Sequence, residues 1–288
     1  MSHPVTGIDH LFILTNDLEK SANNFHRFGF TLSPRGLHSK EQGTANYTIM
    51  FKDDYFELLG IVEETAANRD KRDNLEEFGE GLYAIAGRID NALKAQQNLL
   101  ELGFDVTDPQ NFSRPVDLAD GRQGIAAFST IAFNQREVPK GQVFMCEQKT
   151  RNMVWRPELL THKNGAIGLS SISILSATPE KTALRYARLF KDGHINQQGD
   201  DFVVSTGENS ATIRVSSEQN FKKHFPAFNI GKLPENAYAA LAIKVQSLEK
   251  AKAVLEENNV ASETTGEKSI AIAPELASGT IVEFIEKN

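Results

Sequence analysis

Two polar residues lie in apolar stretches near the start of the chain. His10 is set among Ile8, Leu11 and Phe12, and Glu57 lies in the run Tyr55-Phe56-Glu57-Leu58-Leu59. Imidazole and carboxylate together suit Fe²⁺, Mn²⁺, Zn²⁺ or Ni²⁺, and a small set of protein ligands leaves open positions for a substrate with two oxygens. Each also has a structural interpretation, His10 as a partly buried histidine with a backbone partner and Glu57 in an ion pair.

Further along the chain, several residues have types suited to binding an anion or an aromatic group. Arg114 and Arg156 each precede a proline. Either guanidinium can bind a substrate carboxylate or phosphate through two hydrogen bonds, or can equally form an ion pair with a carboxylate of a loop. Trp155 suits a pocket wall or the core. His162 lies in the polar stretch HKNGA, where it either reaches the first cavity or is an ordinary turn histidine. Cys146, on an apolar strand, is interpreted as a buried, inert thiol.

The elements that must position these residues are predicted by an internal repeat. Residues 7–27 and 168–188 match at one fixed offset, and both have the pattern of a strand, a cap and a helix. The same order returns more faintly from residues 82 and 238. The four caps are predicted at Asp17, Asp90, Thr178 and Ser247. Residues 66–77 and 109–122 are predicted as inserts or loops. In the repeat, Ser171 is the position equivalent to His10, and Glu283 is the position equivalent to Glu57.

A family resemblance follows from these motifs. The residues that carry it are Ile8-Asp9-His10, Gly43-Thr44-Ala45-Asn46, Tyr55-Phe56-Glu57-Leu58-Leu59, Phe112-Ser113-Arg114-Pro115, Val154-Trp155-Arg156-Pro157 and His162-Lys163-Asn164-Gly165-Ala166. The chain resembles the glyoxalase-like branch of the vicinal oxygen chelate superfamily. The resemblance covers residues 5–175 well, and it extends to residues 176–288 only through the internal repeat. The resemblance implies an α+β fold of four βαβββ modules, paired into two half-barrels of mixed sheet.

The resemblance also implies a ligand set. The ligands of such folds come from the first and last strands of each module, so His10 and Glu57 match the ligands of the first module and Glu147 is a candidate from the second. From their residue types, Glu57 and His162 are the expected catalytic residues, and the expected substrate contacts are Tyr83, Arg114, Trp155 and Arg156. The second module has no histidine on its first strand, where Leu82-Tyr83-Ala84 stands instead. With Ser171 in place of His10, the second half-barrel is expected to be structural or to shape the substrate site.

The predicted domains follow the modules. An N-terminal half-barrel spans residues 5–150, with modules 5–62 and 80–149, and 151–165 form a linker. A C-terminal half-barrel spans 166–288, with modules 166–220 and 237–286. The expected function is divalent-metal-dependent chemistry on a small oxygen-bearing substrate, by a lyase, isomerase or dioxygenase. The alternative is a non-catalytic protein that binds or sequesters a small molecule, as bleomycin resistance proteins do.

Composition limits the partners. The chain has 288 residues with 31 basic and 38 acidic side chains, giving a net charge of −7, which disfavours nucleic acid and anionic membranes. A single cysteine excludes an intramolecular disulfide, and no signal peptide, phosphate loop or dinucleotide fingerprint is found. We therefore expect a cytoplasmic protein with a small-molecule ligand, no nucleotide cofactor and no nucleic-acid or membrane partner, compatible with a homodimer.

Overall fold

The computed structural model describes residues 2–118 and 120–287 and contains two eight-stranded sheets. The first sheet has the strand order β2-β3-β4-β1-β5-β8-β7-β6, and the second repeats that order with β10-β11-β12-β9-β13-β16-β15-β14. Each sheet joins two βαβββ units. The α+β fold with two half-barrels is thereby confirmed.

The first half-barrel is built from residues of the first two units. Its strands are β1 Ile8–Thr15, β2 Gly36–Leu37, β3 Thr44–Met50, β4 Tyr55–Ile61, β5 Gly81–Arg88, β6 Gln110–Asp117, β7 Gln123–Ala132 and β8 Gln142–Gln148. Its helices are α1 Leu18–Arg27, α2 Arg69–Phe78 and α3 Ala92–Glu101, and α4 Arg151–Val154 with a 3-10 turn at Pro157–Leu159 follows it.

The second half-barrel follows the same plan. Its strands are β9 Ala166–Leu175, β10 His194–Gln198, β11 Asp201–Ser205, β12 Thr212–Ser216, β13 Ala240–Val245, β14 Glu263–Gly266, β15 Ser269–Ile272 and β16 Ile281–Glu286. Its helices are α5 Pro179–Ala187, α6 Glu218–His224 and α7 Leu248–Glu257, with a 3-10 turn at Ile230–Lys232. None of the helices in the described part of the chain is long and apolar enough to span a membrane.

The start and end of α1 show why the repeated pattern folds as it does. Asp17 is extended, and its side chain accepts a hydrogen bond from the amide of Lys20, which satisfies one of the free donors of the first turn. Gly29 ends the helix at φ +91°, a conformation that favours glycine. Ser247 caps α7 in the same way, but the cap of α3 is Asn91 and not Asp90, and Thr178 makes no side-chain cap bond.

A bulge in β1 sets which side chains face the hollow of the first sheet. The pairing of β1 with β5 shifts register between Ile8 and His10. Ile8 consequently belongs to the main core with Leu11, while Phe12 packs in a separate cluster on the concave side. Simple alternation, which places Ile8 and His10 on one face, fails at this bulge.

The second half-barrel is filled by its own chain. Phe221 of α6 and Phe225 just after it pack against Ala240, Ala271 and Ile281 on the concave side of the second sheet. These residues occupy the hollow that corresponds to the open one in the first half. The expectation that the second half is structural is consistent with this packing.

Two predicted loops are regular elements. Most of 66–77 belongs to α2, which has no fully buried residue, and 110–117 forms the edge strand β6, in which Val116 alone is buried. Their weak hydrophobic patterns explain why the sequence does not reveal them. The predicted counterpart of Glu57 also changes: β16, which carries Glu283, occupies the position of β8, whereas β12 is the counterpart of β4.

Asp54 joins the two half-barrels and is expected to make stability depend on pH. Its buried Oδ1 accepts a hydrogen bond from the amide of Leu169 at 3.1 Å, and burial raises the pKa of this carboxyl to about 7. The unfolded carboxyl releases its proton near its ordinary pKa, so between about pH 4 and 7 the folded protein holds a proton that the unfolded chain lacks. The contribution of Asp54 to the free energy of unfolding should therefore fall as pH rises through this window.

The measurement is urea unfolding at a series of pH values, with Asp54→Asn as the test. The difference in stability between wild type and Asp54→Asn should change by up to about 1.4 kcal/mol per pH unit between pH 4 and 7, with the variant relatively more stable at pH 7. The exposed neighbour Asp53 provides the control Asp53→Asn. Parallel pH profiles of wild type and Asp54→Asn would contradict the expectation.

Candidate functional site

The first half-barrel encloses a cavity of about 570 Å³. Its edge strands β2 and β6 approach each other and close the sheet toward a barrel. Side chains of alternate residues on β1, β3, β4 and β8 point inward, because strand neighbours face opposite sides. The inward residues on these strands that line it are His10, Phe12, Thr44, Asn46, Thr48, Tyr55, Glu57, Leu59, Gln142, Phe144 and Cys146.

A buried cluster of metal-ligating types lies at one side of this cavity. Asp9, His10 and Cys146 each offer a donor atom, and the three atoms lie within 4.8 Å of one another. Asp9 Oδ2 is 2.8 Å from His10 Nδ1 and also accepts a hydrogen bond from Gln148 Nε2 at 2.8 Å. The bulge allows the consecutive residues Asp9 and His10 to reach the same cluster.

The donor atoms of this cluster fit a divalent cation. All three residues are buried, and Asp9 Oδ1 accepts no hydrogen bond from the described residues, with Arg88 Nε 4.0 Å away. A carboxylate that holds Nδ1 orients the imidazole and leaves Nε2 available. Burial and the nearby carboxylates raise the pKa of the Cys146 thiol, so a bound cation would be needed to ionise it at neutral pH.

The ring of Tyr55 packs against the imidazole of His10. The two rings stack with centroids 4.4 Å apart and an angle of 13° between their planes. Burial raises the pKa of Tyr55 well above its ordinary value, with Asp9 and Glu57 adding to the shift. The phenol therefore stays protonated and keeps a proton to donate, while its oxygen accepts from Gln148 Nε2 at 3.4 Å.

Glu57 stands on the adjacent strand and is oriented by an amide. Phe12 pairs with Glu57 across β1 and β4, so Glu57 is diagonal to His10 on the same face. Asn46 Nδ2 donates a short hydrogen bond to Glu57 Oε2. The other oxygen, Oε1, has no hydrogen bond to the described residues and is available to a ligand.

Three basic residues surround Glu57. Arg114 and Lys71 line the cavity, and burial lowers the pKa of each while Glu57 raises it. Burial lowers the pKa of His38 to about 4, so this ring is neutral near pH 7, and its Nδ1 lies 2.7 Å from Thr44 Oγ1. The cavity thus combines two carboxylates, Glu57 and the exposed Glu41, with two cations and an apolar wall.

The comparisons with known proteins agree with this architecture. Residues 8–190, well over half of the chain, match the family described as "Glyoxalase-like domain". The chain belongs to this glyoxalase-like family. Its fold is that of the vicinal oxygen chelate superfamily. A search of curated proteins finds no match to the chain.

Solved structures share the fold at low sequence identity. A hypothetical protein from Staphylococcus aureus is 13% identical with a TM-score of 0.66, covering 97% of this chain and 99% of that chain. A mutant of 4-hydroxymandelate synthase from Streptomyces coelicolor is 12% identical with a TM-score of 0.63, covering 99% and 93%. A variant of homoprotocatechuate 2,3-dioxygenase from B. fuscum is 11% identical with a TM-score of 0.58, covering 100% and 73%.

Glu147 is not brought to the cavity of this glyoxalase-like half-barrel. It points to the opposite face of β8, where its Oε2 accepts a hydrogen bond at 2.8 Å from the amide of Ala92 at the start of α3. The inward residue is Cys146, one position earlier. This one-residue shift in strand phase replaces Glu147 by Cys146 as the candidate donor beside His10.

Three of the predicted substrate contacts also lie outside the cavity. The hydroxyl of Tyr83 donates to the carbonyl of Gly79 at 2.9 Å, where the end of α2 meets β5. Trp155 packs edge-on behind Tyr55, with ring centroids 5.2 Å apart. The guanidinium of Arg156 donates a short hydrogen bond to the carbonyl of Asp117 and pins the end of β6. Arg114 alone of the four predicted contacts lines the cavity.

The sequence analysis missed three residues of the site. Asp9 does carry a signal, because it is a second polar residue beside His10 in an otherwise apolar strand. Cys146 shares its strand phase with Phe144, but only the structure shows that this phase faces the cavity. Lys71 gives no such signal, because it lies in a polar helix that resembles a surface insert. Ala84 and Ala86, which pair with Phe12 and His10, supply no ligand atom from β5.

His162 is a structural residue by its contacts. Its Nδ1 accepts a hydrogen bond from the amide of Thr31 at 3.0 Å, and its Nε2 donates to the carbonyl of Met50 at 2.9 Å. Burial lowers its pKa, which keeps the ring neutral. The side chain is 3% exposed and ties the segment before β9 to the first half-barrel.

His162→Ala should lower the free energy of unfolding by about 2–4 kcal/mol, because it leaves the buried carbonyl of Met50 and the partly buried amide of Thr31 without this partner and removes a buried ring. The exposed His194 provides the control His194→Ala, which should change stability little. Chemical denaturation at pH 7 measures both variants. A His162→Ala protein as stable as the wild type would show that these bonds are not structural.

Proposed function

We propose that the chain is a divalent-metal-dependent enzyme that moves a proton on a small oxygen-bearing substrate in the cavity of the first half-barrel. The observation that supports this most is the buried cluster of Asp9, His10 and Cys146 beside an oriented carboxylate, Glu57. Imidazole, thiolate and carboxylate donors suit Zn²⁺ or Fe²⁺. A single histidine differs from the two-histidine, one-carboxylate set of non-haem oxygenases, so lyase or isomerase chemistry is favoured over ring-opening oxygenation.

The residues that would hold the cation are His10 and Cys146, with Asp9 orienting the His10 ring through Nδ1, and the cation would polarise a substrate oxygen. Glu57 is the group that takes a proton, since Oε1 is free while Oε2 is held by Asn46. The protonated Tyr55 is positioned to donate to a substrate oxygen.

Metal binding is the first prediction of this proposal. Purified protein freed of metal should gain thermal stability on addition of Zn²⁺, Fe²⁺, Mn²⁺ or Ni²⁺, and calorimetry should give about one ion per chain. His10→Ala should weaken binding by at least about 100-fold, because it removes a ligand and not only an outer partner. Exposed His26 provides the matched control, His26→Ala. A wild type stabilised by none of the four ions would contradict metal dependence.

Proton transfer is the second prediction. In D₂O, the metal-loaded protein should exchange the α-hydrogen of at least one member of a panel of small 2-hydroxycarbonyl and 2-keto compounds, followed by proton NMR. Glu57→Gln should slow this exchange by about 100-fold or more, in the range expected for loss of a general base. Glu63→Gln, on the exposed surface after β4, is the control. Exchange that survives intact in Glu57→Gln would remove Glu57 from the reaction.

A non-catalytic binding protein is the second candidate. It is favoured by Ala84 and Ala86, which face the cavity where β5 would supply a further ligand. This candidate predicts ligand binding without metal uptake and without hydrogen exchange. Turnover of any compound that depends on the metal would refute it.

A further inference from the structure

The side of the cavity around Glu57 holds two cations, Arg114 and Lys71, without a direct partner among the described residues. Arg114 reaches in from β6 and Lys71 from α2. Neither side chain makes a hydrogen bond or an ion pair with any residue that the structure describes, and Lys71 Nζ lies 6.0 Å from the centroid of Phe12. Two carboxylates also line the cavity, Glu57 inside it and the exposed Glu41, and Asp70 acts on Lys71 from the same helix, but neither cation forms an ion pair with them.

The structure makes room for Arg114 with a glycine. A Cβ placed on Gly36 would lie 2.9 Å from Arg114 Nη1 and 2.3 Å from Asn46 Oδ1. Any larger residue on β2 would displace the guanidinium or the amide that orients Glu57. Asn46 Oδ1 is buried and accepts no hydrogen bond from the described residues. The guanidinium of Arg114 thus lies close to Asn46, which orients Glu57, but forms no hydrogen bond or ion pair with a described residue.

Unpaired cations in a partly buried cavity are costly unless a ligand supplies the opposite charge. Burial lowers the pKa of both Arg114 and Lys71, because it disfavours the charged form of each side chain. An anion entering the cavity would form charge-assisted hydrogen bonds with donors that have no other partner. The net charge of −7 on the whole chain indicates that these two cations are not part of a general basic surface.

The remaining walls are apolar and aromatic. Phe112 and Phe128 stack with centroids 5.1 Å apart, and Phe12 and Phe144 lie across the cavity with centroids 6.3 Å apart. These side chains can cover the body of a flat or aliphatic molecule but offer it no hydrogen bonds. A ligand that fits both parts has one charged end and an apolar body.

We propose that Arg114 and Lys71 form a carboxylate-binding subsite, and that the ligand of the cavity is a monoanionic organic acid with an apolar or aromatic body. A carboxylate offers an acceptor oxygen to each of the two unpartnered donors, whereas inorganic phosphate has no apolar body to cover the aromatic walls. The inference shares the cavity of the proposed function and names its substrate class. It requires neither the cation nor the proton transfer by Glu57.

Binding of matched probes tests the subsite. Phenylacetate, its neutral analogue phenylacetamide and inorganic phosphate are titrated at fixed ionic strength by calorimetry and ligand-observed NMR. Phenylacetate should bind at least about tenfold more tightly than the amide, and phosphate should not displace it. Arg114→Gln and Lys71→Gln should each weaken phenylacetate by about tenfold or more and leave the amide unchanged.

The controls are exposed cations on the same elements or next to them. Arg69→Gln on α2 and Arg122→Gln before β7 remove positive charge outside the cavity, so both should bind phenylacetate as the wild type does. Equal affinity for acid and amide, no binding of phenylacetate, displacement by phosphate, or equal losses in the controls would each overturn the inference. Gly36→Ala should behave like Arg114→Gln.

Failure of the subsite is distinguishable from failure of the proposed function. If the charge preference persists in His10→Ala while metal binding is lost, the subsite is independent of the metal, as proposed. If the wild type takes up no metal but still prefers the acid through Arg114, the subsite is supported and the metal enzyme is not. If metal binds and acid and amide bind alike, the subsite is refuted alone.

Discussion

The bulge at the start of β1 is the constraint on which the site depends. In a regular strand, His10 would have alternated with Asp9 across the sheet, and the carboxylate would face the helices. The register shift between Ile8 and His10 brings both toward Gln148 and Cys146 on β8. The buried carboxylate, imidazole and thiol can form one cluster only because of this local departure from alternation.

The two half-barrels show how one strand order gives two different interiors. In the first, α2 lies at the edge of the hollow, and its Lys71 lines the cavity. Phe12 and Tyr83 pack with residues of α2 in a small hydrophobic cluster beside it. In the second, α6 enters the hollow and Phe221 and Phe225 fill it. The Oε1 atom of the buried Glu283 there accepts hydrogen bonds from His224 and Thr265, which tie this carboxylate into the fold. The shared plan fixes the framework, and the connecting helix determines whether a cavity remains.

The sequence predicts the modules because their signals are local. A strand, a cap such as Asp17 and an amphipathic helix are all encoded within about 20 residues, and the confirmed half-barrels follow from their repetition. Local signals do not determine which residues of a buried strand face the cavity. Cys146 and Glu147 are adjacent, and nothing in the apolar run around them indicates which one faces inward. Contacts between distant segments, such as Arg156 with Asp117 and His162 with Met50, cannot be seen from the pattern of either segment alone.

The electrostatics of the cavity connect the framework to its chemistry. Glu57 is oriented by Asn46 and faces Arg114 and Lys71, while the cluster around His10 lies one residue pair away on β1. Charges in such a setting act more strongly than on the surface, because the surrounding protein responds less than water. A cation on one side and a carboxylate-binding subsite on the other would hold an organic acid across Glu57.

Anomalous diffraction from crystals soaked with Zn²⁺ is the measurement that tests the placement of the reaction centre most directly. One ion is expected in the first half-barrel, about 2.0–2.1 Å from a ring nitrogen of His10 and about 2.3 Å from Cys146 Sγ, with open coordination toward Glu57. An anomalous peak at any other place in the chain, with none at His10, would contradict it.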